Sequence, residues 1–145
     1  MHAYLIIAHE QFDLLESLLK CIDDARNDIY IHIDSRSELD IGRIEKVLRN
    51  SRVEFVPRIH IRWGGFDMVR CEYMLLEAAF ESGREYEYVH LISGADLPLK
   101  NQDEIHRYFP IPSRSWFPYQ TSGLQIPVKY CRHPSFWIHP CLSWS

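Results

Sequence analysis

Four places in this sequence set a polar or aromatic side chain directly behind a run of apolar residues, and each could do recognition chemistry. His9 follows Tyr4-Leu5-Ile6-Ile7-Ala8, and Asp34 closes Tyr30-Ile31-His32-Ile33. Trp63 follows Ile61-Arg62 and precedes Gly64-Gly65, while Ser93-Gly94-Ala95-Asp96 closes Val89-His90-Leu91-Ile92. A carboxylate such as Asp34 can accept two hydrogen bonds from a ribose diol or from a base imide; equally, it can serve as a cap or turn residue before Ser35. The Trp63 indole can stack on a base or sugar while Gly64 and Gly65 let backbone approach a ligand, or it can fill a core. His9 can donate to a phosphate, accept from a hydroxyl, or cap a following helix. Asp96 can hold a sugar hydroxyl or fix its own turn through the Leu97–Leu99 amides, with Ser93 supplying a hydroxyl beside it.

Other chemistries lack their parts. No Asp-x-Asp triplet follows a strand, so the paired carboxylates that hold a divalent metal on a diphosphate are not evident. Asp23-Asp24 falls at a helix end and reads as solvated. The eight histidines show no ligand spacing with a third donor, so no metal is expected; His32 and His90, inside apolar runs, read as hydrogen-bonded core residues. Cys21, Cys71, Cys131 and Cys141 form no CxxC pair. Cys21 and Cys71 lie on apolar helical stripes and read as small buried hydrophobes, a pattern suited to a reducing compartment.

Positioning these groups requires an alternation of strands and helices. Ala3–Ala8 reads as a strand; Phe12, Leu15, Leu19 and Ile22 then recur with helical spacing in a helix ending near Ala25. Ile29–Ile33 is a second strand. Ile41, Ile44, Val47 and Leu48 mark a second helix capped by Asp40. Val53–Val56 is a short third strand, interrupted by Pro57 and continued in extended form by Ile59–Trp63. Asp67 is placed to cap a third helix carrying Met68, Cys71, Leu75 and Ala79; Tyr86–Ile92 is the fourth strand; Asn101 and Glu104 start a short helix through Tyr108. This order predicts an α/β fold: a mainly parallel sheet, right-handed crossovers and helices on both faces. Strand carboxyl ends share one edge of such a sheet, which would bring His9, Asp34, Trp63 and Ser93–Asp96 to one crevice.

Beyond Phe109 the periodicity stops. Pro110, Pro112, Pro118, Pro127, Pro134 and Pro140 interrupt any helix, Trp116–Tyr119 offers at most one more strand, and Thr121–Ser145 has no period. Residues 1–109 therefore read as the ligand-binding part, and 110–145 as an irregular tail that is truncated or not native. The 145 residues suit one domain, and 46% hydrophobic content allows a packed core. A net charge of −4 with scattered basic residues argues against a nucleic-acid partner; Arg58–Arg62 is too short for a basic patch. The start, Met1–Glu10, enters a strand without a basic region or a long apolar run, so the expectation is a cytoplasmic protein touching membranes only peripherally.

Four of these segments, in order and with matching spacing over roughly Ala3 to Phe109, resemble the core-2/I-branching glycosyltransferase family, which includes branching β-1,6-N-acetylglucosaminyltransferases and peptide O-xylosyltransferases. They are Tyr4–His9, Ile31-His32-Ile33-Asp34-Ser35-Arg36-Ser37, Ile61-Arg62-Trp63-Gly64-Gly65 with Met68-Val69, and His90–Leu99. The resemblance implies a GT-A-like fold with an incomplete C-terminal part and a UDP-sugar donor. It implies N-acetylglucosamine or xylose transfer to a glycan or protein hydroxyl, with inversion and no required metal or other cofactor. By position, Ala8, Asp34 and Ile61-Arg62-Trp63 would contact the uridine part of the donor; Ser93 and Asp96 would support the site. Family members in eukaryotes are Golgi membrane proteins, and a start without a signal anchor resembles a bacterial member.

Inversion needs a carboxylate to deprotonate the acceptor hydroxyl and cations to neutralise the departing diphosphate. The resemblance places both in a later half of the domain, so no catalytic residue is assigned. Lys129 and Arg132 imitate the basic pair but lie too early. The leading expectation is thus the donor-binding half of a glycosyltransferase, inactive alone. A non-catalytic UDP-sugar-binding remnant and an unrelated doubly wound domain are the alternatives.

Overall fold

The computed structural model describes residues 1–62 and 64–108, together with the backbone of 137–138. Four strands, β1 (His2–Ala8), β2 (Asn27–Ile33), β3 (Arg52–Phe55) and β4 (Tyr88–Ser93), form one parallel sheet in the order β3-β2-β1-β4. Leu97–Pro98 (β5) pairs antiparallel with Trp137–Ile138 (β6). The helices are α1 (Phe12–Ile22), α2 (Ile41–Glu45), α3 (Phe66–Glu81) and α4 (Gln102–Tyr108). The α/β class, the parallel sheet and helices on both faces are as the alternation predicts. The Trp116–Tyr119 strand and Lys129, Arg132, Cys131 and Cys141 lie outside the described residues.

Every residue of β2 is buried, and all of β1 but the half-buried Ile7, because both faces of the sheet are covered. Alternation along each strand splits the core in two. Tyr4, Ile6, Ala8, Ile29, Ile31 and Ile33 meet α1 and α2 through Leu15, Leu18, Leu19, Ile22 and Ile44. Ala3, Leu5, Tyr30, Val89 and Leu91 meet α3 through Cys71, Leu75 and Ala79. Burying each leucine or isoleucine of α1 contributes about 2 kcal/mol. The chain builds outward from β1 through β2 to β3, then α3 crosses the opposite face to set β4 on the other side of β1. The strand order therefore reverses at β1, a topological switch point.

Several local expectations are corrected. α1 stops at Ile22, three residues before Ala25, because the Asp23 carboxylate turns away to accept the Arg49, Asn50 and Ser51 amides. Asp24 takes both the amide and the guanidinium of Arg26. Neither aspartate is merely solvated. Cys21 is exposed, since it falls off the Leu15-Leu18-Leu19-Ile22 stripe; Cys71 is buried, which pushes its thiol up to about 12. α3 begins at Phe66 with Gly65 as N-cap, so Asp67 lies in the first turn and pairs with Arg62 instead of capping. Asp40 does cap α2 by accepting from Gly42, and Asn101 Oδ1 accepts the Glu104 amide at the start of α4. His32 Nε2 accepts the Ile59 amide at 3.0 Å and His90 hydrogen-bonds His2, so both are bonded core histidines as expected.

Candidate functional site

The carboxyl ends of β1, β2 and β4 converge, and backbone hydrogen bonds tie them together. The Asp34 amide donates to the Ala8 carbonyl at 2.9 Å, and the Gly94 amide to the Ile7 carbonyl at 2.8 Å. Gly94 crosses directly over β1: a Cβ there would lie 2.8 Å from Ala8 Cβ and 3.5 Å from a Leu15 methyl. The small residue after β4 thus admits the protein's own backbone. Ala8 is enclosed beneath it, so its side chain is not open to a ligand.

Asp34 is the hub. Its side chain is 3% exposed. Oδ1 accepts the Arg36 amide at 2.9 Å and Arg36 Nε at 3.1 Å; Oδ2 accepts Arg36 Nη2 at 3.2 Å and the Ile61 amide at 3.0 Å. Burial alone would raise this carboxyl, but the Arg36 side chain and amide and the Ile61 amide outweigh it and hold it well below the usual carboxylate range. One aspartate therefore joins the end of β2 to the Ile59–Ile61 segment. Arg58 reinforces the join by donating to the carbonyls of Asp34, at 2.9 Å, and Ser37. The Ser35 amide donates to the Ile59 carbonyl at 3.1 Å, and Ser37 Oγ donates to the His9 carbonyl.

The structure places Ala8, His9, Asp34, Ile61, Ser93 and Asp96 along this one edge. His9 is exposed behind β1, and the N-cap of α1 is Gln11, not His9. Ile61 is buried; Arg62 is exposed and held to Asp67 at 3.0 Å. Asp96 is buried and closes its turn backwards: Oδ2 accepts the Ser93 amide at 2.7 Å, in place of the forward Leu97–Leu99 amides, and Ser93 Oγ accepts the Ala95 amide. Gly64 adopts φ +72°, open to glycine without strain, and the Gly65 amide donates to the Arg62 carbonyl, so this pair builds the turn into α3. Trp63 lies outside the described residues.

Sequence reasoning passed over Arg36, Arg58 and His60. With Arg62 they give this edge several exposed or half-exposed cationic or titratable groups. The available signal was Asp34-Ser35-Arg36: an aspartate two residues before an arginine can take that residue's amide and its guanidinium together. Among the described residues, no group of three or more His, Cys, Asp or Glu side chains could hold a metal ion, and no helix is long and apolar enough to cross a membrane.

A family model described as Core-2/I-Branching enzyme matches residues 2–121. The chain belongs to the core-2/I-branching enzyme family. It is similar to a human protein named probable beta-1,3-galactosyl-O-glycosyl-glycoprotein beta-1,6-N-acetylglucosaminyltransferase 7, with 25% identity over 114 residues. That alignment covers 73% of this chain and 25% of the relative, so the chain spans about a quarter of the length of the protein it matches. The residues matched by the family model include Ala8, Asp34, Ile61 and Ser93.

Proposed function

We propose that this chain is the donor-nucleotide half of an inverting, metal-independent glycosyltransferase with a GT-A-like fold. Its substrate would be a UDP-sugar, and transfer would go to a hydroxyl of a glycan or protein, as the relative's name describes for N-acetylglucosamine. The observation that carries this reading is the switch-point edge of the sheet, where the described residues of the segments marking the family come together. Ala8, His9, Asp34, Ile61 and Arg62 bound the nucleotide site in this reading, and Trp63 is assigned to it from the sequence alone. Gly64, Gly65, Ser93 and Asp96 shape its walls. The catalytic base and the groups that neutralise the leaving diphosphate are not assigned to these residues.

The test is calorimetric titration of UDP, UDP-N-acetylglucosamine and UDP-xylose into the chain, with ADP as control. Saturable binding of the uridine ligands raises the thermal midpoint as ligand exceeds its dissociation constant. Equal response to ADP, or no response to any, would remove the proposal. Binding without release of UDP in the presence of acceptor is the expected result for a donor-binding half; turnover would show that the 145 residues contain the catalytic groups as well.

A further inference from the structure

Helix α3 is apolar on two sides. Cys71, Leu75 and Ala79 face the sheet. On the other side Phe66, Tyr73 and Phe80 are 77%, 67% and 58% exposed, with Val69 also exposed and Leu76 half-buried. At 3.6 residues per turn these five fall within one arc of about 80°, a stripe running the length of the helix. Three rings left this open present roughly 400 Å² of apolar surface, the scale on which exposed patches serve as contact sites.

The stripe is symmetric about its middle. Phe66 lies seven residues before Tyr73 and Phe80 seven after it. A two-fold axis through Tyr73 therefore sets Tyr73 against its own copy, Phe66 against Phe80 of the second copy, and Val69 against Leu76 of the second copy. Charge follows the same symmetry. Arg70 and Glu77 flank the stripe on one side, both are exposed, and neither has an ion-pair partner among the described residues. In an antiparallel helix pair equal flanks face each other, so Arg70 of each copy meets Glu77 of the other, three and four residues from the axis. A parallel pair would instead turn this flank toward Glu72 and set two glutamates together. The remaining charges of α3, Asp67, Glu72 and Glu81, are acidic, which disfavours an anionic lipid surface as the occupant.

We propose that α3 is a self-association surface on which two copies of this chain pair antiparallel about Tyr73, closed by two reciprocal Arg70–Glu77 ion pairs. The rings, with Leu76, Arg70 and Glu77 around them, supply the larger part of the ~800 Å² that each partner buries in a standard interface.

The experiment is sedimentation equilibrium on the wild-type chain up to about 300 µM, a range that detects dimers of micromolar affinity. Tyr73→Glu, Arg70→Glu, Glu77→Arg and the double variant Arg70→Glu/Glu77→Arg are compared with it. Thermal unfolding confirms that each is folded, and Tyr73→Ser serves if the glutamate variant is not. The wild type is expected to pass from monomer to dimer, and Tyr73→Glu to stay monomeric. Each charge reversal weakens association about tenfold, because it acts twice across the axis. The double variant, which restores opposite charges, associates like the wild type. A wild-type chain that stays monomeric, a dimer kept by folded Tyr73→Glu, or a double variant no better than the single ones overturns the proposal. So does binding of monomeric wild type to phosphatidylcholine–phosphatidylserine vesicles that Tyr73→Glu loses, which would give the stripe to a membrane. UDP titration on the same samples reads the nucleotide site separately, and its failure leaves the pairing of α3 untouched.

Discussion

At the amino edge of the sheet, buried histidines stack on one another; at the carboxyl edge, a buried aspartate is wrapped by an arginine and backbone amides. The amino edge collects His2, His90 and His106 under α4. His2 Nδ1 and His90 Nε2 lie 3.1 Å apart, His106 stacks on His2 at 3.9 Å, and Tyr4 stacks on His90 at 4.6 Å. Asn27 bonds Gln102 at 2.7 Å and His106 at 2.9 Å, and Gln102 reaches the Cys21 carbonyl on α1. On the α3 face of the same edge, Arg84 and Tyr86 close over the buried Asp28 carboxylate. Most of these groups hydrogen-bond or stack on one another. The carboxyl edge binds the Asp34 carboxylate just as fully and buries Asp96 beside it, with Arg36, His60 and Arg62 exposed. Both edges thus bury polar residues. What separates them is what they bury: stacked histidines with Asp28 at the amino edge, and the carboxylates of Asp34 and Asp96 at the carboxyl edge.

The largest expected effect separates the two edges directly. Asp34→Ala abolishes UDP binding and also destabilises the fold, because the buried Ile61 amide loses its acceptor. Leaving such a donor unpaired costs about 2 kcal/mol. Titration calorimetry and chemical denaturation on the same sample read both effects. Retained UDP affinity in a folded Asp34→Ala variant would mean that the carboxyl edge is as purely structural as the amino one.

The amino edge should instead respond to acid. Burial, then the neighbouring His90 and His106, lower His2 from 6.5 to about 2; burial, then His106, lower His90 to about 3. The unfolded chain therefore binds more protons than the folded one below about pH 6.5, so stability rises with pH. The contribution is complete above the ordinary histidine value and is lost progressively as pH falls toward the folded values. Two such histidines together cost about 3 kcal/mol between about pH 7.5 and 5.5. Asp34 and Asp24, both held low, titrate only in stronger acid, whereas His32 and His106, also lowered chiefly by burial, add to the same window. Scanning calorimetry should show the midpoint falling by several degrees across it, and His2→Phe/His90→Phe should flatten the slope. An unchanged slope in that variant would place the acid sensitivity elsewhere.

The strands, their order along the chain and the shared edge were legible because apolar runs of four to seven residues report burial on both faces. The identities of the hydrogen-bond partners were not. Nothing in the spacing links Asp34 to Ile61, twenty-seven residues on, or Asn27 to Gln102, seventy-five residues on; such pairs exist only once the sheet order is set. The same limit hid the reason for Gly94. In the sequence it is one small residue in the turn behind an apolar run; in the fold it is where the turn after β4 packs against Ala8. Gly94→Ala forces a methyl to within 2.8 Å of Ala8 Cβ and 3.3 Å of Ala8 Cα, both on a paired central strand that cannot yield cheaply. Overpacking of this kind costs about 1–3 kcal/mol. Denaturation midpoints should record it, with UDP affinity falling as the crevice shifts; wild-type stability would show that the two backbones can separate.

The smallest effect tests whether the amino edge is held by packing or by the local start of α4. This helix has seven residues, too short to persist on intrinsic propensity, and its buried residues are Gln102 and Ile105. Its first turn is held by Asn101 Oδ1 accepting the Glu104 amide at 2.9 Å. Asn101→Ala removes that acceptor and should cost about 1 kcal/mol. Amide exchange of Ile105 and His106 should quicken by about fivefold, the same energy expressed as a local opening. UDP affinity should not change, because α4 lies at the opposite end of the strands from Asp34 and Arg36. A loss of nucleotide binding in this variant would couple the two edges through β1 and end the division drawn between them.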